Sequence, residues 1–187
     1  NTNNSTIKEY IDNWYIDNLK EYSHYLEDTI YCNDRKTANI NNVMGMTLTG
    51  DGSGTNESGY AGAYRAFISH SPTLKCENKN DRFTVSNSIG NAKLTYPVAL
   101  ITSDEIAYAG GSAYNYNTSS YIANTEFYLH TPSYYYWTLT PWAFAGGYSY
   151  VAGWLTAGRL GYDRVYSTRN AARPAVSLSS VAISGGN

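Results

Sequence analysis

Residues 134–178 read YYYWTLTPWAFAGGYSYVAGWLTAGRLGYDRVYSTRNAARPAVSL, and the way this stretch folds decides what kind of domain the chain builds. Three sets of apolar anchors punctuate it: Tyr136, Trp137 and Leu139; Val151, Leu160 and Val165; Pro174, Val176 and Leu178. Between them stand Tyr, Gly, Ala, Ser, Arg, Asp and Asn, with no helical period and no sustained strand alternation. A packed core does not need that mixture. A contact surface does, because exposed Tyr, Trp and Arg carry much of the energy of interfaces. Contact area is expected from Trp142, Phe144, Tyr148, Tyr150, Trp154, Tyr162, Arg164 and Tyr166, with Asp163 and Asn170 adding directional bonds. The stretch predicts a strand over 134–140 with Trp137 inward, ended by Pro141. Three antiparallel strands follow over 151–155, 159–166 and 173–179, with Gly158 in the first turn.

Upstream, the chain predicts two short helices and long polar loops. Residues 1–5 are expected to fray, and Asn4 or Ser5 caps a helix beginning near Thr6. Ile7, Ile11, Trp14 and Asn18 mark its face, with Tyr10 and Tyr15 flanking it. A helical turn over 19–26 and an extended piece ending at Cys32 come next. Residues 37–71 read as a loop with one short strand near 44–48, and the glycine-rich 50–59 within it as a surface loop. Short strands are expected over 82–85 and 97–101, with a turn at 87–93 between them. Thr102 and Glu105 form a capping-box pair for a helix over 103–109, with Ile106 and Ala107 inward and Gly110 as its stop. Asp104 and Glu105 invite an acid–base reading, but the helix start already accounts for both. Residues 111–130 form another polar loop. Helices first and strands last indicate an α+β domain, read as one unit over residues 1–187.

Composition narrows the class of function. The chain has 187 residues, 15% of them charged, and a net charge of −2, which argues against the basic face of a nucleic-acid binder. Its 20 tyrosines offer large contact areas with a polar handle, and they also suit a β surface. Two cysteines, Cys32 and Cys76, in a polar chain predict a disulfide in preference to two buried free thiols. No apolar run is long enough to span a bilayer and no signal peptide is visible. The chain begins at Asn1 rather than Met, so an upstream leader or anchor is expected to have been removed.

Three segments carry a resemblance: IDNWYIDNLKEYSHYLEDTIYCNDR at 11–35, LKCENKNDRFTVSNSIGNAKLTYPVALITSDEIAYAGG at 74–111, and YWTLTP with RPAVSL at 136–141 and 173–178. They resemble bacterial and phage-associated extracellular domains of the C-type-lectin-like fold shared with formylglycine-generating-enzyme relatives. These domains often stand behind a prepilin-like anchor. The resemblance implies a compact α+β domain with two short helices, a small twisted antiparallel sheet and long loops. It extends to proteins diversified by a retroelement, in which adenines of Asn codons are replaced. Gly153, Leu155, Ala157, Arg159, Gly161, Tyr162, Asp163, Arg164, Tyr166, Ser167, Arg169 and Asn170 look like diversified positions, and Val151, Gly158, Leu160, Val165, Arg173 and Pro174 like their scaffold. The other reading is an ordinary binding domain whose loops have drifted.

Several chemistries lack their residues. The cysteines and histidines show no zinc spacing, no nucleophile elbow is present, and no cofactor is implied. Formylglycine-generating enzymes use a cysteine pair near the chain end, whereas this chain has no cysteine after Cys76. The Glu-Pro-Asn, Gln-Pro-Asp and Trp-Asn-Asp triplets of calcium-dependent lectins are absent as well. The expectation is a non-enzymatic, secreted or surface-displayed binding domain. Its partner is an unidentified protein or cell-surface polymer, and membrane association comes only through an anchor outside the sequence. A minor-pilin-like or envelope structural subunit is the alternative, and a hydrolase using Asp104 or Glu105 the remote one.

Overall fold

The computed structural model describes residues 5–43, 46–48, 57–111, 114–115, 120–121 and 124–184. Asn4, Met44, Tyr116 and most of the 50–59 loop lie outside them. The chain is α+β, with short helices and curled antiparallel pairings, and its contacts divide it into two compact units. The first holds residues 1–32, 76–101 and 172–187, the second residues 33–75 and 102–171.

The first unit opens with the helix Thr6–Asn18, where the Ser5 hydroxyl accepts from the Lys8 backbone N–H at 3.2 Å. Its inward face is Ile11, Asp12 and Tyr15, one position round from the expected Ile7–Ile11–Trp14–Asn18 stripe, and Asn18 is exposed. Tyr15 sets this rotation by stacking on Tyr96 with ring centroids 5.0 Å apart. Burial, then the neighbouring Tyr96, raises the Tyr15 phenol above its ordinary pKa. Paired strands of two residues tie the rest together: Leu26–Glu27 with Ser177–Leu178, Tyr31–Cys32 with Arg82–Phe83, and Ala99–Leu100 with Pro174–Ala175. The expected strand over 173–179 is therefore two short pieces in separate ladders. Pro174 stands where a ladder N–H is not available from it, so a long central strand cannot run through this segment.

The Cys32–Cys76 disulfide is present, with Cα atoms 5.7 Å apart. Around it, Arg82 donates from Nε to the Cys76 carbonyl at 2.7 Å and from Nη2 to the Glu77 carbonyl at 3.1 Å. Asp28 holds the Arg82–Phe83 strand's exit, accepting from the backbone N–H groups of Val85 at 2.8 Å and Ser86 at 2.7 Å. Burial raises the Asp28 carboxyl pKa, but these bonds outweigh it and the net shift is downward. A lowered folded-state pKa contributes stability above the unfolded value and loses it as pH falls through the folded one. Asp28→Asn keeps one acceptor oxygen for two donors. It is expected to cost about 1 kcal/mol at neutral pH, with the difference vanishing in acid. Urea unfolding of both proteins across that range checks the sign.

The second unit is built on one sheet, whose strands are β1 (Glu57–Gly59), β2 (Tyr135–Ala145), β3 (Tyr148–Leu155), β4 (Arg159–Arg164) and β5 (Asn170–Ala171). The order is β4-β3-β2-β5, with β1 antiparallel to the far end of β2 and β5 parallel to its start. Pro141 does not end β2. The register shifts on both sides of Pro141, and a bulge is where a strand tolerates a residue without an N–H. Thr138 bridges the irregularity, its hydroxyl donating to the Ala152 carbonyl at 2.7 Å. Gly146 and Gly147, at φ 56° and 81°, make the two-residue turn into β3, a conformation that disfavours any Cβ.

Against this sheet lie two helical segments. Ser103–Tyr108 begins with the expected capping box of Thr102 and Glu105. Both the Ser103 N–H and its hydroxyl donate to Thr140 Oγ1, at 2.9 and 3.0 Å. The second segment, Ala61–Tyr64 continuing into a wider turn over Arg65–Ser69, stands inside the residues expected to be loop. Its Ala61, Ala63, Ala66 and Phe67 are buried; the helix is apolar on most sides and lacks a polar cap, so its sequence shows no amphipathic stripe. Trp142, Trp154, Tyr136, Phe67, Ile106 and Leu160 form the core.

Candidate ligand-binding face

The hairpins carry side chains to two opposite ends. At one end, Tyr150 pairs with Arg164 across β3 and β4, and the ladder continues as the Val165 N–H donates to the Ser149 carbonyl at 3.1 Å. At the other, Leu155 pairs with Arg159. Five strand steps separate Arg159 from Arg164, about 16 Å by strand rise. The sequence-predicted residues therefore do not form one patch. Tyr148, Tyr150, Asp163, Arg164, Tyr166, Ser167 and Arg169 belong to the Arg164 end, and Tyr162 stands mid-strand opposite Ala152. Asn170 lies beside the start of β2, which is registered with the Trp154 end of β3, and only its side chain reaches Asp163. Leu155, Ala157 and Arg159 belong to the other, where Ala157 is exposed in the turn and Leu155 and Arg159 are half-buried. Phe144 is half-buried on β2.

The two tryptophans expected on the surface are beneath it. Trp142 and Trp154 are each 0% exposed. Tyr162 stacks on Trp142 at 3.9 Å between centroids, while Phe67 meets it edge-on at 6.3 Å. Phe127 packs on Trp154 at 4.8 Å, and the Trp154 indole N–H donates to His130 Nδ1 at 3.3 Å. Alternate residues of a strand face opposite sides, and the indoles fall on the inward one.

Gly153 and Gly161 also leave the surface set, since both are buried and face each other across β3 and β4. A Cβ on Gly153 would stand 3.0 Å from the Tyr136 carbonyl oxygen, and one on Gly161 would run into the Leu155 side chain. Val165 moves the other way, from expected scaffold to 48% exposed, because β4 ends at Arg164 and the chain turns out there. Leu160 is wholly buried, as its scaffold role requires. Leu160→Ala is expected to cost about 3 kcal/mol, and Val165→Ala less than about 0.5 kcal/mol. A thermal unfolding comparison separates the two.

At the Arg164 end the geometry is specific. The Arg164 guanidinium carbon lies 4.1 Å from the centroid of the Tyr148 ring and 5.9 Å from that of Tyr166. It donates from Nη1 to the Tyr166 hydroxyl at 2.7 Å and from Nε to the Tyr150 hydroxyl at 3.4 Å. The bonds to Tyr150 and Tyr166 hold its pKa above the usual arginine range, so it is a cation at any working pH. Tyr148 and Tyr166 are 42% and 60% exposed. Asp163 is engaged locally: Oδ1 accepts from the Arg164 N–H at 2.8 Å and Oδ2 from Asn170 Nδ2 at 2.9 Å. Asp163, Arg164, Tyr166, Ser167, Thr168 and Arg169 line an open hollow of about 540 Å³. Thr168 is the one member that sequence reasoning passed over, although its neighbours in the STRN run were singled out.

Asp104 and Glu105 are occupied structurally. Asp104 takes a two-pronged contact from Arg65, whose Nε and Nη2 donate at 2.9 and 2.8 Å, and Arg65 Nη1 donates to Asp34 at 2.8 Å. Burial pulls the Arg65 pKa down, but the bonds and charges of Asp104 and Asp34 outweigh it and raise it overall. Among the described residues no cluster of three or more His, Cys, Asp and Glu is arranged to hold a metal ion, and no helix is long and apolar enough to cross a membrane. Compared with protein-family models, curated proteins and solved structures, the chain matches none.

Proposed function

We propose that the chain is an extracellular ligand-binding domain whose contact face is the Arg164 end of the β2–β3–β4 meander. The observation that carries this reading is the Arg164 guanidinium, fixed against Tyr148, Tyr150 and Tyr166 on a partly exposed surface. Rigid aromatic and Arg side chains lose little entropy when they meet a partner, which is why they dominate binding hot spots. The disulfide fits an oxidising compartment. The C-type-lectin-like relationship and retroelement diversification belong to the same proposal. What favours them is that Leu160, a scaffold position, is buried while Tyr166 and Arg169, diversified positions, are exposed. The buried Gly153 and Gly161 and the exposed Val165 do not fit that division.

The experiment is a segment exchange. Residues 164–169 are replaced by another sequence, leaving Leu160, Gly161, Tyr162, Asp163 and Asn170 in place. The partner recovered from bacterial or host-cell surface extract is expected to change while the melting temperature moves little. Recovery of the same partner by both proteins defeats the assignment of the face. A near-copy of the codons for this segment beside a reverse-transcriptase gene is the expected genomic sign of diversification.

A further inference from the structure

Resting on that reading, we infer that the hollow beside Arg164 takes an acidic saccharide, a sugar unit bearing a monoanionic group. Three observations converge on this class. First, the cations are uncompensated. Arg164 uses two of its N–H donors on tyrosine hydroxyls and, of the five a guanidinium carries, keeps three for a ligand. Among the described residues it has no carboxylate partner. Arg169 is exposed, and its recorded hydrogen bond comes from its backbone, donating to Ser167 Oγ at 3.4 Å. Asp163, the one acid among the described lining residues, has its oxygens engaged by the Arg164 backbone N–H and Asn170. The hollow is left with net positive charge.

Second, every described lining side chain carries a hydrogen-bonding group. A polyhydroxylated ligand finds the Ser167 and Thr168 hydroxyls there beside two guanidinium forks. Third, the exposed Tyr166 ring lines the hollow, an apolar face of the kind a sugar's C–H surface covers, and Tyr148 lies tilted against it with 5.9 Å between centroids. The hollow is open to solvent and about 540 Å³ in volume, room for a sugar unit lying on the surface. A guanidinium fork matches a carboxylate or a sulfate ester equally well, so the shared feature is one negative charge on a sugar.

The test uses the full chain and four defined probes in titration calorimetry: an oligogalacturonate, its methyl ester, a sulfated galactan oligomer, and a glutamate octapeptide. One acidic saccharide is expected to bind, and at least tenfold more tightly than the methyl ester or the peptide. Arg169→Gln, which removes a side chain with no recorded structural bond, is expected to weaken that binding about tenfold, the worth of one charge-assisted hydrogen bond. The preferred probe tells carboxylate from sulfate. Equal binding of acidic and esterified sugars, tighter binding of the peptide, binding of no saccharide, or indifference to Arg169→Gln each overturns the inference. If surface-extract capture is lost in Tyr148→Ala/Tyr166→Ala but survives Arg169→Gln, only the acidic-sugar inference fails. If neither variant affects capture, the binding face itself is wrong.

Discussion

Replacing Trp142 with Ala is expected to cost about 3–5 kcal/mol of folding stability, the range for deleting a fully buried aromatic. The indole has no exposed surface, and it lies between Phe67 and Tyr162 with Tyr150 edge-on at 6.2 Å. Its removal opens a cavity under β2 and takes the platform from Tyr162, whose ring in turn meets Tyr150 at 5.6 Å. Tyr150 is an Arg164 partner, so the loss reaches the proposed binding face through packed rings. Trp142→Phe is expected to cost clearly less than Trp142→Ala, because it keeps most of the ring and leaves a smaller cavity. The buried indole N–H has no hydrogen-bond partner among the described residues, and Phe removes that unmet donor along with part of the ring. Urea unfolding of the two variants checks the pair. An Ala variant within 1 kcal/mol of the parent, on the scale where buried truncations cost several times more, would contradict the placement of Trp142.

Arg65→Met is the second large effect, expected at about 3–5 kcal/mol. Asp104 is buried and Asp34 half-buried, and without Arg65 two carboxylates face each other with no cation between them. The Thr73 N–H, donating to Asp104 at 3.1 Å, does not replace a charge. The double variant Arg65→Met/Asp104→Leu is expected to recover most of the loss, because removing both partners leaves much less desolvated charge behind. Chemical denaturation at neutral pH measures it. A double variant no better than the single one would mean that the loss does not come from leaving Asp104 without its cation.

How much of this was legible depended on how local each signal was. The capping box of Thr102 and Glu105, the Ser5 cap and the Gly158 turn are contained within a few residues, and they stand where the sequence placed them. The disulfide needed only an even cysteine count in a polar chain. Pro141 misled because a proline normally ends a central strand, and the bulge that tolerates it depends on Thr138 reaching Ala152, a contact between strands. The Gly146–Gly147 pair, between Ala145 and Tyr148, was a readable hairpin signal that the expected strand end at Pro141 concealed. The Ala61–Ser69 helix left no stripe to read, being buried on most sides.

For the binding face, residue type was legible but side was not. Trp142 and Trp154 have the composition of contact residues, and only the register of β2, β3 and β4 turns them inward. Likewise, Gly153 and Gly161 look interchangeable with their neighbours until the opposing strand shows what a Cβ would meet. The Arg164 cluster survives because its members lie at and beyond the strand ends, where alternation no longer hides a side chain.

The double substitution Tyr148→Ala/Tyr166→Ala tests the central claim most directly, read as partner capture beside a melting curve of the same protein. Both rings are well exposed and support Arg164 rather than the core. Capture is expected to weaken at least thirtyfold, the scale of a hot-spot loss of about 2 kcal/mol, with the melting temperature little changed. Undiminished capture at full stability would contradict the account, and so would a large fall in melting temperature, which would make these tyrosines part of the fold.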